Sequence, residues 1–300
     1  MRKPFVIAIM LLLSTPCFSQ WLWDYGGTLG MSNYLGDIGG NEKTRQNFIG
    51  DVKLLKTRWN TGAFIRNKWH PLFSWKFSVD YVRLEGNDKL SANPGRRTRN
   101  FNFKNDVVEV AYTMEYFIFS DNDVGNTGRY QNALRVYLFT GAGGFYTNPK
   151  TFYRGQWVAL QPYATEGVIY RKFVFDIPMG IGAYLTIKKR NRFGVELNYR
   201  KTFTDYLDDI SGNYPSNPPD NEYEQGLILR TTELNPTDYS DAYYSHTWGQ
   251  KRGDPTHKDA FFTLNFTYSR VLRGHASFHH FNGGGFFGPK RHGRIVKAKF

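Results

Sequence analysis

The sequence predicts an all-β fold, namely a transmembrane antiparallel up-and-down β-barrel of about 8 strands with long extracellular loops and short periplasmic turns. Segments of alternating polarity recur along the chain, and the clearest of them covers residues 106–119. Beyond the N-terminal segment, no run of about 20 apolar residues is available for a membrane helix. Aromatic residues make up 17% of the chain and hydrophobic residues only 40%, which suits aromatic girdles around a polar interior.

Segment 106–119 has two faces that suit two different solvents. Side chains of an extended strand alternate between faces, so every second residue from Val108 to Ile118 contributes to one continuous apolar face. The other face carries Glu109, Thr113 and Glu115 at mid-length, and this period of two argues against a helix. The segment exceeds the ~5–6 residues of a usual strand and reaches the ~9–11 that cross a bilayer at a tilt. A long strand of a soluble sandwich is the alternative interpretation.

The N-terminal residues have the pattern of a secretory signal. Arg2 and Lys3 precede an uncharged apolar run at 5–13, and small residues follow at 14–19. The apolar run is too short to span a membrane as a helix. We therefore expect a signal peptide at 1–19, an outer-membrane barrel at 20–272 and a basic periplasmic tail at 273–300.

Cysteine usage and net charge limit the chemistry that the exported chain offers. Cys17 is the only cysteine and would be removed with the signal, so we expect no disulfide and no thiolate metal site. It also raises the alternative of a lipoprotein, although Pro16 fits a lipid-attachment site poorly. Loss of Arg2 and Lys3 lowers the formal net charge from +13 to +11. Anionic partners such as lipopolysaccharide phosphates or acidic proteins are expected, whereas nucleic acid is not.

The same alternation predicts the other barrel strands, and the connections between them differ in length. The further strands are predicted at residues 21–33, 57–67, 73–81, 133–147, 167–188, 193–200 and 262–268. The long connections are 34–56, 86–105, 148–166 and 204–259, and an even strand number then places both termini in the periplasm. A ninth and tenth strand around 225–233 remain an alternative.

Charged residues are predicted inside the barrel. Lys76 and Asp80 fall on the polar face of their strand, as Glu109 and Glu115 do on the neighbouring one. Opposite charges in a barrel interior can pair, so we expect these carboxylates to neutralise inward-facing cations.

The sharpest local signal follows the seventh predicted strand. Asp205, Asp208 and Asp209 lie close together in TDYLDDISGNY and would suit a hard cation such as calcium. Their spacing matches no EF-hand-like loop. Aspartates also serve turns and helix caps by accepting bonds from nearby backbone N–H groups, which is the alternative role.

This segment also carries a family resemblance. The chain resembles the PorG family of outer-membrane proteins from Bacteroidetes type IX secretion systems through TDYLDD, YLGDIGG (34–40), LFTGAGGFYTNPK (138–150), TEG (165–167) and DIPMGIGAY (176–184). The resemblance implies a barrel that tethers a periplasmic ring of PorK lipoprotein and PorN, supporting secretion and, in gliding species, motility. It brings no catalytic residue or cofactor, so we expect no enzyme. The motif loop comprises Thr204, Asp205, Tyr206, Leu207, Asp208 and Asp209.

Two basic clusters are candidate binding surfaces. A loop cluster suits lipopolysaccharide phosphates or is a solvated loop, and it contains Arg96, Arg97, Arg99 and Lys104. A tail cluster suits an acidic periplasmic partner, and it contains Arg273, His275, Lys290, Arg291, Arg294, Lys297 and Lys299. A histidine metal site in the tail is disfavoured, because no carboxylate or cysteine lies nearby to complete it.

Four rival functions follow from the same barrel. A small porin, a lipopolysaccharide-binding barrel or an adhesin would act through the outer loops. A lipid-modifying enzyme would need a serine or threonine nucleophile beside a histidine at a strand edge, and the predicted strands contain no histidine. An eight-strand barrel has an interior filled by side chains, which favours a scaffold over a channel.

Overall fold

The computed structural model describes residues 23–38, 57–91, 93–125, 128–234 and 246–272. The expected signal peptide at 1–19 lies outside these ranges, as does the expected tail at 273–300. The tail residues predicted to meet a partner therefore lie outside the described residues: Arg273, His275, Lys290, Arg291, Arg294, Lys297 and Lys299.

Eight long strands form a closed antiparallel barrel, which confirms the predicted fold class. Each barrel strand pairs with the next one along the chain, and the first pairs with the last to close the cylinder. The barrel strands are β1 (Trp23–Leu35), β2 (Arg58–Asn67), β3 (Phe73–Asn87), β4 (Asn102–Asp121), β5 (Ala133–Tyr146), β8 (Phe173–Ile187), β9 (Asn191–Thr202) and β10 (Ala260–Val271). Two short strands, β6 (Lys150–Tyr153) and β7 (Gln156–Ala159), form a hairpin in the loop after β5.

The helical segments are short and lie in the long loops. Helix α1 (Pro94–Arg99) begins after Asn93 and α2 (Glu222–Ile228) begins after Asn221, and each asparagine oxygen accepts a backbone N–H bond from the first turn. Single 3₁₀ turns occupy Asp88–Leu90, Gln161–Tyr163 and Arg230–Glu233. Within the described ranges, no helix has the length and apolar character needed to cross a membrane.

The largest departures from the sequence-based expectation are three. Strands β3 and β4 extend together to the pair Asn87–Asn102, because Leu84 and Phe103 are fully buried against the loops beyond the membrane. Strand β8 begins at Phe173, later than predicted. The alternative of extra strands at 225–233 is wrong, since acidic residues follow the Asn221 cap there and favour a helix.

The outer surface is apolar in the middle of the barrel. Along β4, Val108, Val110 and Met114 are 44–45% exposed, whereas the intervening Glu109 and Thr113 are at most 3% exposed. Exposed apolar side chains continue this belt on the other barrel strands: Leu29, Met31, Phe77, Val79, Ile181, Val195, Leu197 and Phe266. A continuous apolar belt of this size on a closed barrel is typical of a surface that faces lipid.

Aromatic side chains form girdles at both ends of the belt. Near the short turns, Trp23 and Trp75 pack edge to face with ring centroids 5.1 Å apart. Near the long loops, the Trp59 and Tyr81 rings are also 5.1 Å apart. Amphipathic rings favour the boundary between acyl chains and head groups, so the two girdles mark where the barrel leaves the membrane.

The two ends of the barrel are built differently. One end has the short connections 68–72, 122–132 and 188–190. At the other end, the long loops pack over the barrel opening around an apolar core. We call these packed loops and their core the cap. Its buried members include Tyr34, Leu84, Phe103, Leu207 and Phe261. Apolar packing of this kind closes the long-loop end of the barrel.

Candidate functional site

The barrel interior is a network of buried ion pairs. The Arg66 guanidinium, 1% exposed, lies 3.0 Å from Glu115 (Nε to Oε1) and 3.4 Å from Glu196 (Nη2 to Oε1). Lys76 Nζ lies 2.7 Å from Glu196 Oε2. The predicted role of the interior carboxylates is therefore confirmed, although the partner of Lys76 is Glu196 on β9 and not a residue of the neighbouring β4. Buried charges in such numbers require this compensation.

A second set of ion pairs leaves no room for a channel. Arg200 Nε lies 2.5 Å from Glu109 Oε2, and its Nη1 donates to Thr263 Oγ1 at 2.7 Å. The cavity that remains between these side chains and Lys76 measures about 10 Å³. A single water needs roughly 10–15 Å³, so the middle of the lumen is blocked to ions and solutes.

The motif loop at 204–209 is the centre of the cap. Leu207 is fully buried in the apolar core, and its backbone N–H donates to Asp259 Oδ2 at 3.0 Å. Tyr206 stacks on Tyr170 at a centroid distance of 4.7 Å. Thr204 Oγ1 accepts a bond from the Tyr206 N–H at 3.1 Å. The segment that carries the sharpest sequence signal thus fastens the long loops to the barrel end.

Asp208 and Asp259 share one hydroxyl. The Tyr34 hydroxyl lies 2.6 Å from Asp208 Oδ2 and 2.7 Å from Asp259 Oδ1. A phenol has a single proton to donate, so a second proton must reside on one of the two carboxyls. Burial raises the pKa of both Asp208 and Asp259 well above the ordinary range, and the charge of Asp259 adds to this effect at Asp208 while that of Asp205 adds to it at Asp259. Both the shared hydroxyl and the direction of these pKa shifts favour a proton held between the two carboxyls.

Asp209 organises the other side of the cap. It adopts a left-handed backbone conformation (φ 73°), and its carboxylate accepts bonds from Thr165 Oγ1 at 2.5 Å and the Tyr170 hydroxyl at 2.7 Å. Arg252 Nη2 lies 3.3 Å from the same carboxylate, while Glu166 accepts the Ser211 N–H. Burial raises the pKa of Asp209, and the positive charge of Arg252 opposes that effect. The TEG and TDYLDD motifs therefore meet in one hydrogen-bonded unit.

The cap aspartates serve as structural acceptors. Asp205 Oδ2 accepts from the Ser211 hydroxyl at 2.6 Å, and Asp208 Oδ1 accepts from the Ile210 N–H at 2.9 Å. In the part of the chain that the structure describes, no group of three or more histidine, cysteine, aspartate or glutamate side chains is arranged to hold a metal ion. The geometry favours the alternative role in turns and caps over calcium binding.

The predicted loop cluster does not form a single surface. Arg99 is 3% exposed: its Nε lies 2.7 Å from Asp88 Oδ2, and its Nη1 donates to the Arg252 carbonyl at 2.6 Å. The expectation of a lipopolysaccharide contact is therefore wrong for Arg99, because its donors are used inside the cap. Arg97 is exposed and Arg96 is half-buried. Lys104 lies on β4 with its ammonium 5.4 Å from the Trp157 ring centroid.

The short-turn end contains a basic cavity that the sequence analysis missed. This cavity, which we call the mouth, measures about 420 Å³ and is lined by Lys68, Arg135, Lys189 and Arg192 among others. These four residues come from three separate turns and strand ends, so no local pattern in the sequence groups them. Burial, together with the nearby Arg135 and Arg192, lowers the pKa of Lys68 to about 8.

Closed strand pairing, a lipid-facing belt and a polar filled interior define a transmembrane β-barrel of the outer-membrane type. Residues 2–252 match the family model DUF6089, a domain of unknown function. The chain belongs to that family. No curated protein matches the sequence.

Several solved outer-membrane proteins are similar to this chain. Ail, the attachment invasion locus protein of Yersinia pestis, solved with the heparin analogue sucrose octasulfate, is 8% identical; 83% of this chain and 98% of that chain are covered, with a TM-score of 0.36. The N-terminal β-barrel domain of Pseudomonas aeruginosa OprF is 9% identical over 84% and 99% of the chains, with a TM-score of 0.33. Neisserial surface protein A is 7% identical over 84% and 97%, with a TM-score of 0.31.

Proposed function

We propose that this protein is a non-enzymatic outer-membrane scaffold that anchors a periplasmic ring of a PorK-like lipoprotein and a PorN-like protein. In that role it supports type IX protein secretion and, where present, gliding. The observation that carries the proposal is the blocked lumen: ion pairs fill the middle of the barrel and leave a cavity of about 10 Å³. A barrel that transports nothing through its interior has its two ends available for binding partners.

The closed cap strengthens the case against a channel. Even a widened lumen would be covered at the long-loop end by the core around Leu207 and Phe261, both fully buried. A small porin needs both a free lumen and a barrel that is open at its long-loop end. The rival porin function therefore requires two rearrangements, each against buried packing or buried ion pairs.

The ring contact is assigned to the short-turn end. Barrels of this type keep short turns in the periplasm and long loops outside, which puts connections 68–72, 122–132 and 188–190 on the ring side. The resemblance motifs lie at the opposite end, where Thr165, Asp208 and Asp209 build the cap. We assign those motifs to closing the long-loop end of the barrel. The proposal of a ring anchor is supported instead by the PorG resemblance over most of the chain.

Affinity purification from crosslinked outer membranes tests this proposal. A tagged copy of the full chain should recover a PorK-like lipoprotein and a PorN-like protein, and its deletion should abolish secretion of cargo with type IX signals. A tagged unrelated outer-membrane barrel is the matched control. Recovery of the barrel without ring proteins, combined with loss of small-solute uptake in the deletion strain, would show a porin instead.

A second candidate, lipopolysaccharide contact at the long-loop end, is favoured by the β6–β7 hairpin. Phe152 and Trp157 are both 45% exposed and pack edge to face at 5.5 Å, with the Lys104 ammonium beside Trp157. Aromatic rings next to a cation suit the head-group region of the outer leaflet. The substitution Lys104→Gln should lower lipopolysaccharide co-purification, and Lys258→Gln in the cap is the matched control.

A further inference from the structure

The mouth at the short-turn end carries an excess of positive charge. Lys68, Arg135, Lys189 and Arg192 line this cavity, and no aspartate or glutamate is among its described lining residues. Arg192 alone has a carboxylate partner, Asp24 on β1. Within the described ranges, the other three cations have no ion pair. Like charges held this close repel one another, so the cavity attracts anions.

The cations are held in place by the barrel rather than free to move apart. The Lys68 ammonium and the Arg135 guanidinium lie 5.6 Å and 5.2 Å from the centroid of the same Phe117 ring. Arg192 is 7% exposed, and its Nε, fully enclosed, has no hydrogen-bond partner among the described residues. A buried donor without a partner costs free energy, so Arg192 adds uncompensated positive potential beside the mouth.

The position of the mouth selects the type of anion. Arg135 lies two residues before Tyr137, which is fully buried in the lumen, so the arginine faces the barrel axis and not the lipid. A lipid phosphate would have to cross the barrel rim to reach it. The rim also presents Trp69 and Tyr130, 47% and 61% exposed, as surfaces for apolar or aromatic side chains.

We propose that the mouth binds carboxylate side chains of an acidic polypeptide segment presented from the short-turn side. A cavity of about 420 Å³ lies within the ~300–1,000 Å³ of typical ligand sites and accommodates a few side chains. Arg135, whose guanidinium also donates weakly to Ser120 Oγ and Asn122 Oδ1, would bind one carboxylate through its remaining N–H groups, while Lys68 and Lys189 add charge at the entrance. The inference rests on the proposed function only for its assignment of this end to the periplasm, and it gives the chemistry of the partner.

Fluorescence anisotropy with labelled hexaglutamate tests the site on the full chain in detergent micelles. The double variant Lys68→Gln/Arg135→Gln should weaken peptide binding at least about tenfold, or about 1.4 kcal/mol, because the carboxylates lose charged hydrogen-bond donors. The control Arg171→Gln/Lys258→Gln removes the same charge at exposed positions of the long-loop end and should bind like wild type. The single variant Lys189→Gln, in an exposed turn, should also weaken peptide binding, and it alters no buried residue.

The other outcomes separate failure of this proposal from failure of the proposed function. Equal losses in both double variants would mean non-specific attraction of a basic chain for a polyanion. Binding of inorganic phosphate or anionic phospholipid micelles that depends on Lys68 and Arg135, with no peptide binding, would identify a phosphate site instead. If ring proteins co-purify with the double variant at wild-type levels while peptide binding is lost, the ring anchor stands and this site is not its contact. If the wild-type chain binds the peptide but recovers no ring proteins, the ring-anchor function is refuted while the acidic-segment site stands.

Discussion

Removal of the Arg66 side chain is the most direct test of the lumen network. The guanidinium contacts Glu115 at 3.0 Å, Glu196 at 3.4 Å and Asp24 at 3.7 Å. In Arg66→Met, Glu196 keeps its ion pair with Lys76, and Asp24 keeps its ion pair with Arg192 on β9. Glu115 would keep only the Ser74 hydroxyl, at 2.5 Å.

The expected cost is that of one uncompensated buried carboxylate. Loss of a single partner from a buried pair destabilises proteins by about 3–5 kcal/mol, so the free energy of unfolding of Arg66→Met should fall by that amount. In Arg66→Met/Glu115→Gln the orphaned charge is gone, and more than half of the loss should be recovered. Arg58→Met is the control, because its partner Glu85 lies 2.5 Å away in a pair that is 20–30% exposed. That pair should contribute about 0–1 kcal/mol.

Urea titration of the protein refolded into phospholipid vesicles, followed by tryptophan fluorescence, measures these differences. Arg66→Met and Arg58→Met are compared in the same vesicles and at the same salt concentration. A loss below about 1 kcal/mol for Arg66→Met, or a double variant no more stable than the single one, would refute the account of the lumen given above.

The remaining predictions concern the belt and the cap. Val110→Arg in the middle of the lipid-facing belt should cost about 2–4 kcal/mol in the same vesicle assay, whereas Ser216→Arg in an exposed loop should be neutral. Leu207→Ala should cost the cap about 2–5 kcal/mol, seen as faster proteolysis of the long loops while the barrel stays heat-modifiable; unchanged proteolysis would contradict the assigned role. The raised pKa of Asp208 predicts cap stability that is full below about pH 3.9 and is lost as pH rises through the raised value. Asp208→Asn should flatten this pH dependence of loop proteolysis, and an unchanged profile would exclude the trapped proton.

The barrel was predictable because its physical cause is local. Alternation between Val110 and Glu109 is set by neighbouring residues on one strand, and the lipid and the lumen each require one side of it. The extended ends of β3 and β4 were not predictable. They depend on Leu84 and Phe103 packing against loops that are distant in the sequence.

The pairings inside the barrel and the cap depend on closure, which sequence patterns do not encode. Lys76 was correctly placed inside, but its partner Glu196 is 120 positions away on β9. The sequence shows the carboxylates of the motif loop side by side, which is why they suit a cation. It does not show that their hydrogen-bond donors, Tyr34 and Arg252, come from distant parts of the chain. Arg99 looked like a surface cation for the same reason, since its partner Asp88 belongs to a different turn of the cap.

The contrast between the two ends explains why charge is distributed as it is. At the capped end, cations such as Arg99 and Arg252 are matched by carboxylates or carbonyls, so buried charge there serves folding. At the mouth, Lys68 and Arg135 remain without ion pairs among the described residues even though Phe117 and the strand ends hold them close together. The bonds that Arg135 donates to Ser120 Oγ and Asn122 Oδ1 give the arginine a use in folding, but they leave its repulsion with Lys68 without a structural reason. An anionic partner at this end supplies the missing reason, and the peptide titration decides whether it is the correct one.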